Sequence, residues 1–169
     1  HSTERLGGGR PHAPDAPGQS RAMTQRRWWL LGIVVVALGL RVWAVLTLVP
    51  STENPPRADA RLYNMLAASL VEGRGFAWPE GGDRHAYYPL PEGPTSLRVP
   101  LYPAFLAVVY RGFGPGHYTA ARLAQAVCGA LLCLVLYRIG VLWGSPRVGW
   151  LAAFVAAVYP PFIHFSYYG

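Results

Sequence analysis

The sequence contains no lysine and, beyond Glu92, no acidic residue. Its fifteen cations are all arginine, and its eight acids all fall between Glu4 and Glu92. Residues 93–169 therefore carry Arg98, Arg111, Arg122, Arg138 and Arg147 without a single carboxylate. Charged residues make up 14% of the chain, where a soluble domain carries about 25%. Hydrophobic residues make up 52% of the 169. The first figure excludes an ordinary water-soluble domain and the second excludes a disordered chain; an integral membrane protein fits both. Cysteine is scarce as well. Cys128 and Cys133 lie five apart in an apolar run, which suits neither a metal knuckle nor a loop disulfide, and both are expected to be buried, inert thiols. A net charge of +7 would suggest nucleic acid in a soluble protein. Here the arginines stand singly along apolar segments and serve topology, so no nucleic-acid partner is expected.

Residues 1–22 hold seven Gly and Pro (Gly7, Gly8, Gly9, Pro11, Pro14, Pro17, Gly18) and no periodicity, so disorder is expected there. Met23 looks like a natural start, and residues 1–25 are read as a leader that need not be native. The chain stops at Gly169 in mid-pattern, and both ends are read as truncated. An all-α fold of polytopic membrane helices is expected over 26–169. The first span runs from Trp28 to Val49 and is interrupted only by Arg41. As a helix it covers about 33 Å, enough for a bilayer core of about 30 Å. Arg26 and Arg27 precede it and place its N-terminal side in the cytoplasm by the positive-inside rule. Arg41 either snorkels outward or faces protein. A cleaved signal peptide is the rival reading, but no small-x-small site follows the apolar run. Trp28 and Trp29 read as an interfacial belt.

Residues 50–98 are polar, rich in Pro and Gly, and extracytoplasmic if the first segment spans. Residues 99–113 are apolar but short, about 22 Å as a helix, with Pro100 and Pro103 in the first turn. This segment is read as a helix that need not cross. Residues 118–143 are long enough to span, and 148–167 form the last candidate, broken by Pro160-Pro161. Arginines flank both alternative cytoplasmic turns in equal number, so charge does not decide whether 99–113 crosses.

Within the polar stretch, Leu62, Met65, Leu66, Ser69 and Leu70 recur at helical spacing. They predict an amphipathic helix lying on the outer membrane surface and stopped by Gly73. Asp59 stands at its start. It reads either as an N-cap or as an interfacial carboxylate acting as base or metal ligand. Tyr63 lies one turn later on the same face and is otherwise an aromatic anchor. Asp83 with His85 is a solvated loop pair rather than a metal site, Gly81-Gly82 is a turn, and His164 is an interface residue.

The order of these features resembles a known family. A membrane helix is followed by Asp59-x-x-x-Tyr63, Ala67, Leu70 and Gly73-x-Gly75-Phe76. Then come Arg98-Val-Pro100-Leu-Tyr-Pro103, Gly112-Phe-Gly114, Ala121-Arg122-Leu-Ala-Gln125 with Gly129, and Val148-Gly-Trp-Leu-Ala-Ala ending in Tyr159-Pro160. This resembles the N-terminal part of the GT-C superfamily of membrane glycosyltransferases, in the branch of protein O-mannosyltransferases, aminoarabinose transferases and Rgt-type enzymes. The resemblance implies a multi-pass cell (inner) membrane enzyme that moves a sugar from a polyprenyl-phosphate donor to an extracytoplasmic lipid, glycan or protein acceptor. It implies that Asp59 deprotonates or orients the acceptor. Arg98, just before the Pro-Leu-Tyr-Pro stretch, would contact the lipid phosphate with its fork, unless it only binds headgroups. Tyr63 would line the substrate site. Many members carry a second acid beside the first; here that position is Ala60, which leaves a divalent metal cofactor open. The rival expectation is a small non-enzymatic polytopic protein with a transport or assembly role, for which buried mid-span charges would be the sign.

Overall fold

The computed structural model describes residues 17–48, 58–79 and 92–168. Its helices are α1 (Pro17–Thr47), α2 (Ala58–Val71), α3 (Leu101–Phe113), α4 (Tyr118–Trp143), α5 (Pro146–Val158) and α6 (Pro160–Tyr168). Between α2 and α3, β1 (Ala77–Trp78) and β2 (Gly93–Pro94) pair antiparallel, Ala77 opposite Pro94. The Gly81-Gly82 turn and the Asp83/His85 pair lie outside the described residues.

Two helices are long and apolar enough to cross a membrane, over Arg27–Thr47 and Tyr118–Trp143. The count rises to three if α5 and α6, bent by 47°, form one span. The expected spans thus recur with small shifts in their ends. Residues 1–16 of the expected leader lie outside the described residues. Helix α1 already begins at Pro17, so 17–22 are helical rather than disordered and the boundary at residue 25 falls inside a helix. Proline at the first helical position is pre-organised for it. Once the apolar span has met the cost of nucleation, each further helix-forming residue extends it cheaply.

The packing of α1, α4 and α5 puts small residues inside. In α4 the buried positions Ala126, Ala130, Cys133, Tyr137 and Gly140 repeat at intervals of four and three. In α5 they are Gly149, Ala153, Ala156 and Ala157. Leu31, Val35, Leu131, Val135, Leu151 and Phe154 point outward and are exposed. Large apolar side chains outside and small ones in the seams suit hydrocarbon surroundings, where close backbone approach rather than the hydrophobic effect joins helices. The α4–α5 contact is closest at two glycines. A Cβ on Gly140 would stand 2.7 Å from the Gly149 Cα, and one on Gly149 would stand 2.7 Å from the Tyr137 carbonyl oxygen. The turn between them is set by Ser145, which caps α5, and by Pro146 at its first position. Cys133 is buried as expected, but Cys128 is exposed. It lies five residues earlier, about 140° around the helix, on the outward face.

The break between α5 and α6 has a specific partner. An α-helical N–H bonds to the carbonyl four residues back, so Pro160 and Pro161 leave the carbonyls of Ala156 and Ala157 without donors. Arg41 of α1 supplies both. Its Nη2 donates to Ala156 at 2.9 Å and its Nη1 to Ala157 at 3.2 Å and to Ala37 at 2.9 Å. Arg41 is completely buried, so it faces protein rather than snorkelling. Gly129 of α4 makes room for it: a Cβ there would lie 2.8 Å from Arg41 Nε.

Helices α2 and α3 pack together through Ala67, Leu106 and Tyr110, with Ala121 of α4 closing the cluster. Helix α2 ends where expected. Gly73 takes a left-handed conformation (φ +78°), and Arg74 N–H returns to the Ser69 carbonyl at 3.0 Å, the Schellman closure that glycine permits.

Candidate functional site

The site is built at the start of α2, where three residues named from the sequence converge. Asp59 lies in the first turn of α2. It is the second helical residue and not the cap, so the N-capping reading is corrected: its carboxylate acts on the positive end of the helix from within the first turn. Arg98 comes from the approach to α3, 39 positions away in the chain. Its Nη2 donates to Asp59 Oδ1 at 2.6 Å. The Arg98 guanidinium lies over the Tyr63 ring, 5.7 Å from its centroid, within reach of a cation–π attraction. Tyr63 is one helical turn below Asp59, which is why both meet the same arginine.

The Asp59 side chain is 68% exposed and that of Arg98 30%. An exposed pair of this kind contributes only about 0.2–1 kcal/mol. Its effect is positional: it ties the entry of α3 to the start of α2. The chain itself leaves most of the carboxylate open to its surroundings, so a substrate can approach it.

Behind this mouth the polar network continues inward. Tyr63 meets Tyr102 edge-on at 5.2 Å. The Tyr102 hydroxyl accepts from Gln125 Nε2, and the Tyr110 hydroxyl donates to Asn64 Oδ1. Asn64 in turn donates to the Ala60 carbonyl at 2.7 Å. Burial pushes both the Tyr102 and Tyr110 phenols up, and the nearby charge of Arg122 pulls each of them partly back. Arg122 itself is buried, and its Nε and Nη1 find no acceptor. Gln125 Oε1 is also buried and unpaired.

These inner residues were not singled out from the sequence as a site. Arg122 and Gln125 are three apart on one helix, a spacing that puts them on one face, and that was the available signal. His164 stands elsewhere, on α6, with its Nδ1 2.8 Å from the Tyr167 hydroxyl. Among the described residues no three His, Cys, Asp or Glu side chains come together. With Ala60 in place of a second acid, a two-carboxylate metal centre does not fit these residues, and no step is routed through a metal.

No protein family, curated protein or solved structure matches the chain at a significant level.

Proposed function

We propose that the chain is the N-terminal part of a multi-pass cell-membrane glycosyltransferase of the GT-C type, using a polyprenyl-phosphate sugar as donor. The observation that carries this reading is the meeting of Asp59, Arg98 and Tyr63 across 39 residues of sequence. Arg26 and Arg27 before the first span favour a cytoplasmic N-terminal side. On this reading α2 lies on the outer surface, with α3 beside it as a helix that does not cross.

In the proposed reaction the acceptor hydroxyl approaches Asp59. Its oxygen forms a bond to the anomeric carbon as the bond from that carbon to the phosphate oxygen breaks. The hydroxyl proton passes to the Asp59 carboxylate, whose Oδ2 is not the oxygen bonded to Arg98. The electron pair of the broken bond leaves on the polyprenyl phosphate, where the Arg98 guanidinium stabilises the added charge. One direct displacement inverts the anomeric centre. The Tyr63 ring walls the site on the helix side. Acceptor classes consistent with the geometry are lipid, glycan or protein hydroxyls at the outer interface.

One observation favours the alternative of a non-enzymatic membrane protein with a transport or assembly role. Arg41 is a fully buried charge beside a broken helix, as in transporter binding sites. Its bonds to three carbonyls account for it structurally, which weakens that alternative. The test is Asp59→Asn in the full-length protein, assayed in membranes with radiolabelled polyprenyl-phosphate sugars at matched expression. Turnover should fall by about 10² or more, the usual share of a general base. Unchanged turnover would remove Asp59 from the chemistry.

A further inference from the structure

Two arginines are buried inside the helices, and they are not equivalent. Arg41 has three carbonyl acceptors. Arg122, 6% exposed, has none among the described residues, and its Nε and Nη1 are closed off without a partner. A buried guanidinium without a counter-charge costs several kcal/mol, so the isolation of Arg122 calls for an occupant.

The protein does not provide one from the helices around it. Residues 93–169 contain no acid, so α3 to α6 cannot neutralise it. Among the described acids, Asp59 pairs with Arg98 and Glu72 with Arg74 at 2.5 Å, and Glu92 is not among the groups whose charge acts on Arg122.

The surroundings suit an oxyanion. The charge of Arg122 is felt by the phenols of Tyr102, Tyr110 and Tyr118, whose hydroxyls can donate as well as accept. Gln125, one turn further along α4, donates Nε2 to Tyr102 and leaves Oε1 unpaired. With the amide turned over, Oε1 accepts from the Tyr102 hydroxyl and Nε2 is free to donate to an anion. Depth points the same way. Helix α4 covers about 39 Å, so with its centre on a bilayer core of about 30 Å, Arg122, about 6 Å from the helix start, would stand at the edge of the hydrocarbon, within reach of a lipid phosphate.

We infer that Arg122 is the core of an anion site between α3 and α4 that takes the phosphate of a membrane lipid, with Gln125 and the Tyr102 hydroxyl beside it. The site stands independently of sugar transfer. Joined to the function proposed above, and resting on that reading, it adds Arg122 to Arg98 as a contact of the donor phosphate.

The experiment uses the full chain in nanodiscs of neutral lipid, with ligand retention read by native mass spectrometry and stabilisation read by thermal unfolding. The probes are polyprenyl monophosphate, neutral polyprenol, phosphatidylglycerol and inorganic phosphate. Wild type should retain the polyprenyl monophosphate and melt higher with it than with polyprenol. Arg122→Gln should weaken retention by about tenfold or more, the size expected for hydrogen bonds to a charged group. Arg122→Lys should recover part of the loss. If phosphatidylglycerol competes equally, the headgroup phosphate alone is recognised; if inorganic phosphate suffices, the tail is dispensable; both outcomes keep the site provided that Arg122→Gln removes them. Equal retention of polyprenol and its phosphate by wild type would overturn the inference, even if Arg122→Gln fails to fold. So would unchanged phosphate retention in a folded Arg122→Gln protein. Retention that depends on Arg122, combined with normal sugar transfer in Asp59→Asn or none in wild type, would keep this site and reject the proposed chemistry.

Discussion

Replacing Gly129 with alanine tests the Arg41 arrangement through the sign of its effect. In a helix interior alanine is better than glycine by about 1 kcal/mol, so the change should stabilise α4 wherever space allows. At Gly129 the new Cβ would stand 2.8 Å from Arg41 Nε, 3.3 Å from Arg41 Cδ and 3.5 Å from Ser166 Oγ. A flexible arginine could swing aside, but this one is held by carbonyls of two helices at 2.9 to 3.2 Å. Yielding would lengthen those bonds and expose the donor gap left by Pro160 and Pro161. Overpacking of this kind costs about 1–3 kcal/mol, and weakened bonds to the guanidinium add about 1–2 kcal/mol in a membrane helix bundle. Set against the helix gain, Gly129→Ala should destabilise the wild type by about 1–4 kcal/mol. In an Arg41→Ala background the obstacle is gone, and the same change should stabilise by up to about 1 kcal/mol. Gly39→Ala on α1, which meets nothing within 4 Å, serves as a control and should stabilise in both backgrounds. The assay is reversible unfolding in mixed micelles, read as a double-mutant cycle. Equal effects of Gly129→Ala in the two backgrounds would refute the reasoning.

Three further outcomes follow from the packing. Gly149→Ala should cost more than Gly129→Ala, about 3 kcal/mol or more, because its Cβ meets the Tyr137 carbonyl and Val141 and backbone cannot swing away; the same micelle unfolding measures it. Tyr110→Phe removes the donor to Asn64 Oδ1 and should cost about 1–3 kcal/mol, whereas an equal loss in Tyr110→Phe and in Tyr110→Phe with Asn64→Ala would show that the hydrogen bond carries it. Ser96→Cys, at an exposed position between α2 and α3, should react with an impermeant thiol reagent in intact cells once the exposed Cys128 is replaced by serine; reaction only after lysis would reverse the proposed topology.

The parts of the fold legible beforehand are those decided locally. Gly73 ended α2 because the left-handed closure needs little beyond a glycine, and Pro160-Pro161 broke the last segment because two N–H groups are missing wherever that pair is placed. The apolar runs read correctly as helices because their lengths and compositions are properties of a single segment. The start of α1 is not legible in the Gly and Pro density of 1–22, because the neighbouring span extends its helix back to Pro17. Asp59 was legible as a candidate but not as an ion-paired one, since Arg98 reaches it only after α2 and α3 pack. Arg41 and Arg122 look alike as lone arginines in apolar runs. Only packing shows that one has carbonyl acceptors from α5, while the other keeps two buried nitrogens without an acceptor among the described residues. The absence of acids after Glu92 was visible from the start, and its structural meaning emerged once Arg122 was found buried.

The bond from Arg41 to Ala156 joins residues 115 apart in the chain, and this sets a schedule for synthesis. At about 5–20 residues per second, roughly 6–23 s pass between the translation of the arginine and that of its acceptors. During that interval α1 enters the membrane with the Ala37 carbonyl as the one acceptor of the three already present, and a charged residue near a helix centre carries an insertion penalty of about 2.5–3.5 kcal/mol. The leucines, valines and tryptophans around it can outweigh such a penalty, but they do not replace the two carbonyls of α5. Helix α1 is therefore fully bonded only when α5 arrives, so a ribosome that stalls before Ala156 leaves a nascent chain in which Arg41 still lacks two of its acceptors, a state that membrane quality control can recognise by the poorly paired charge.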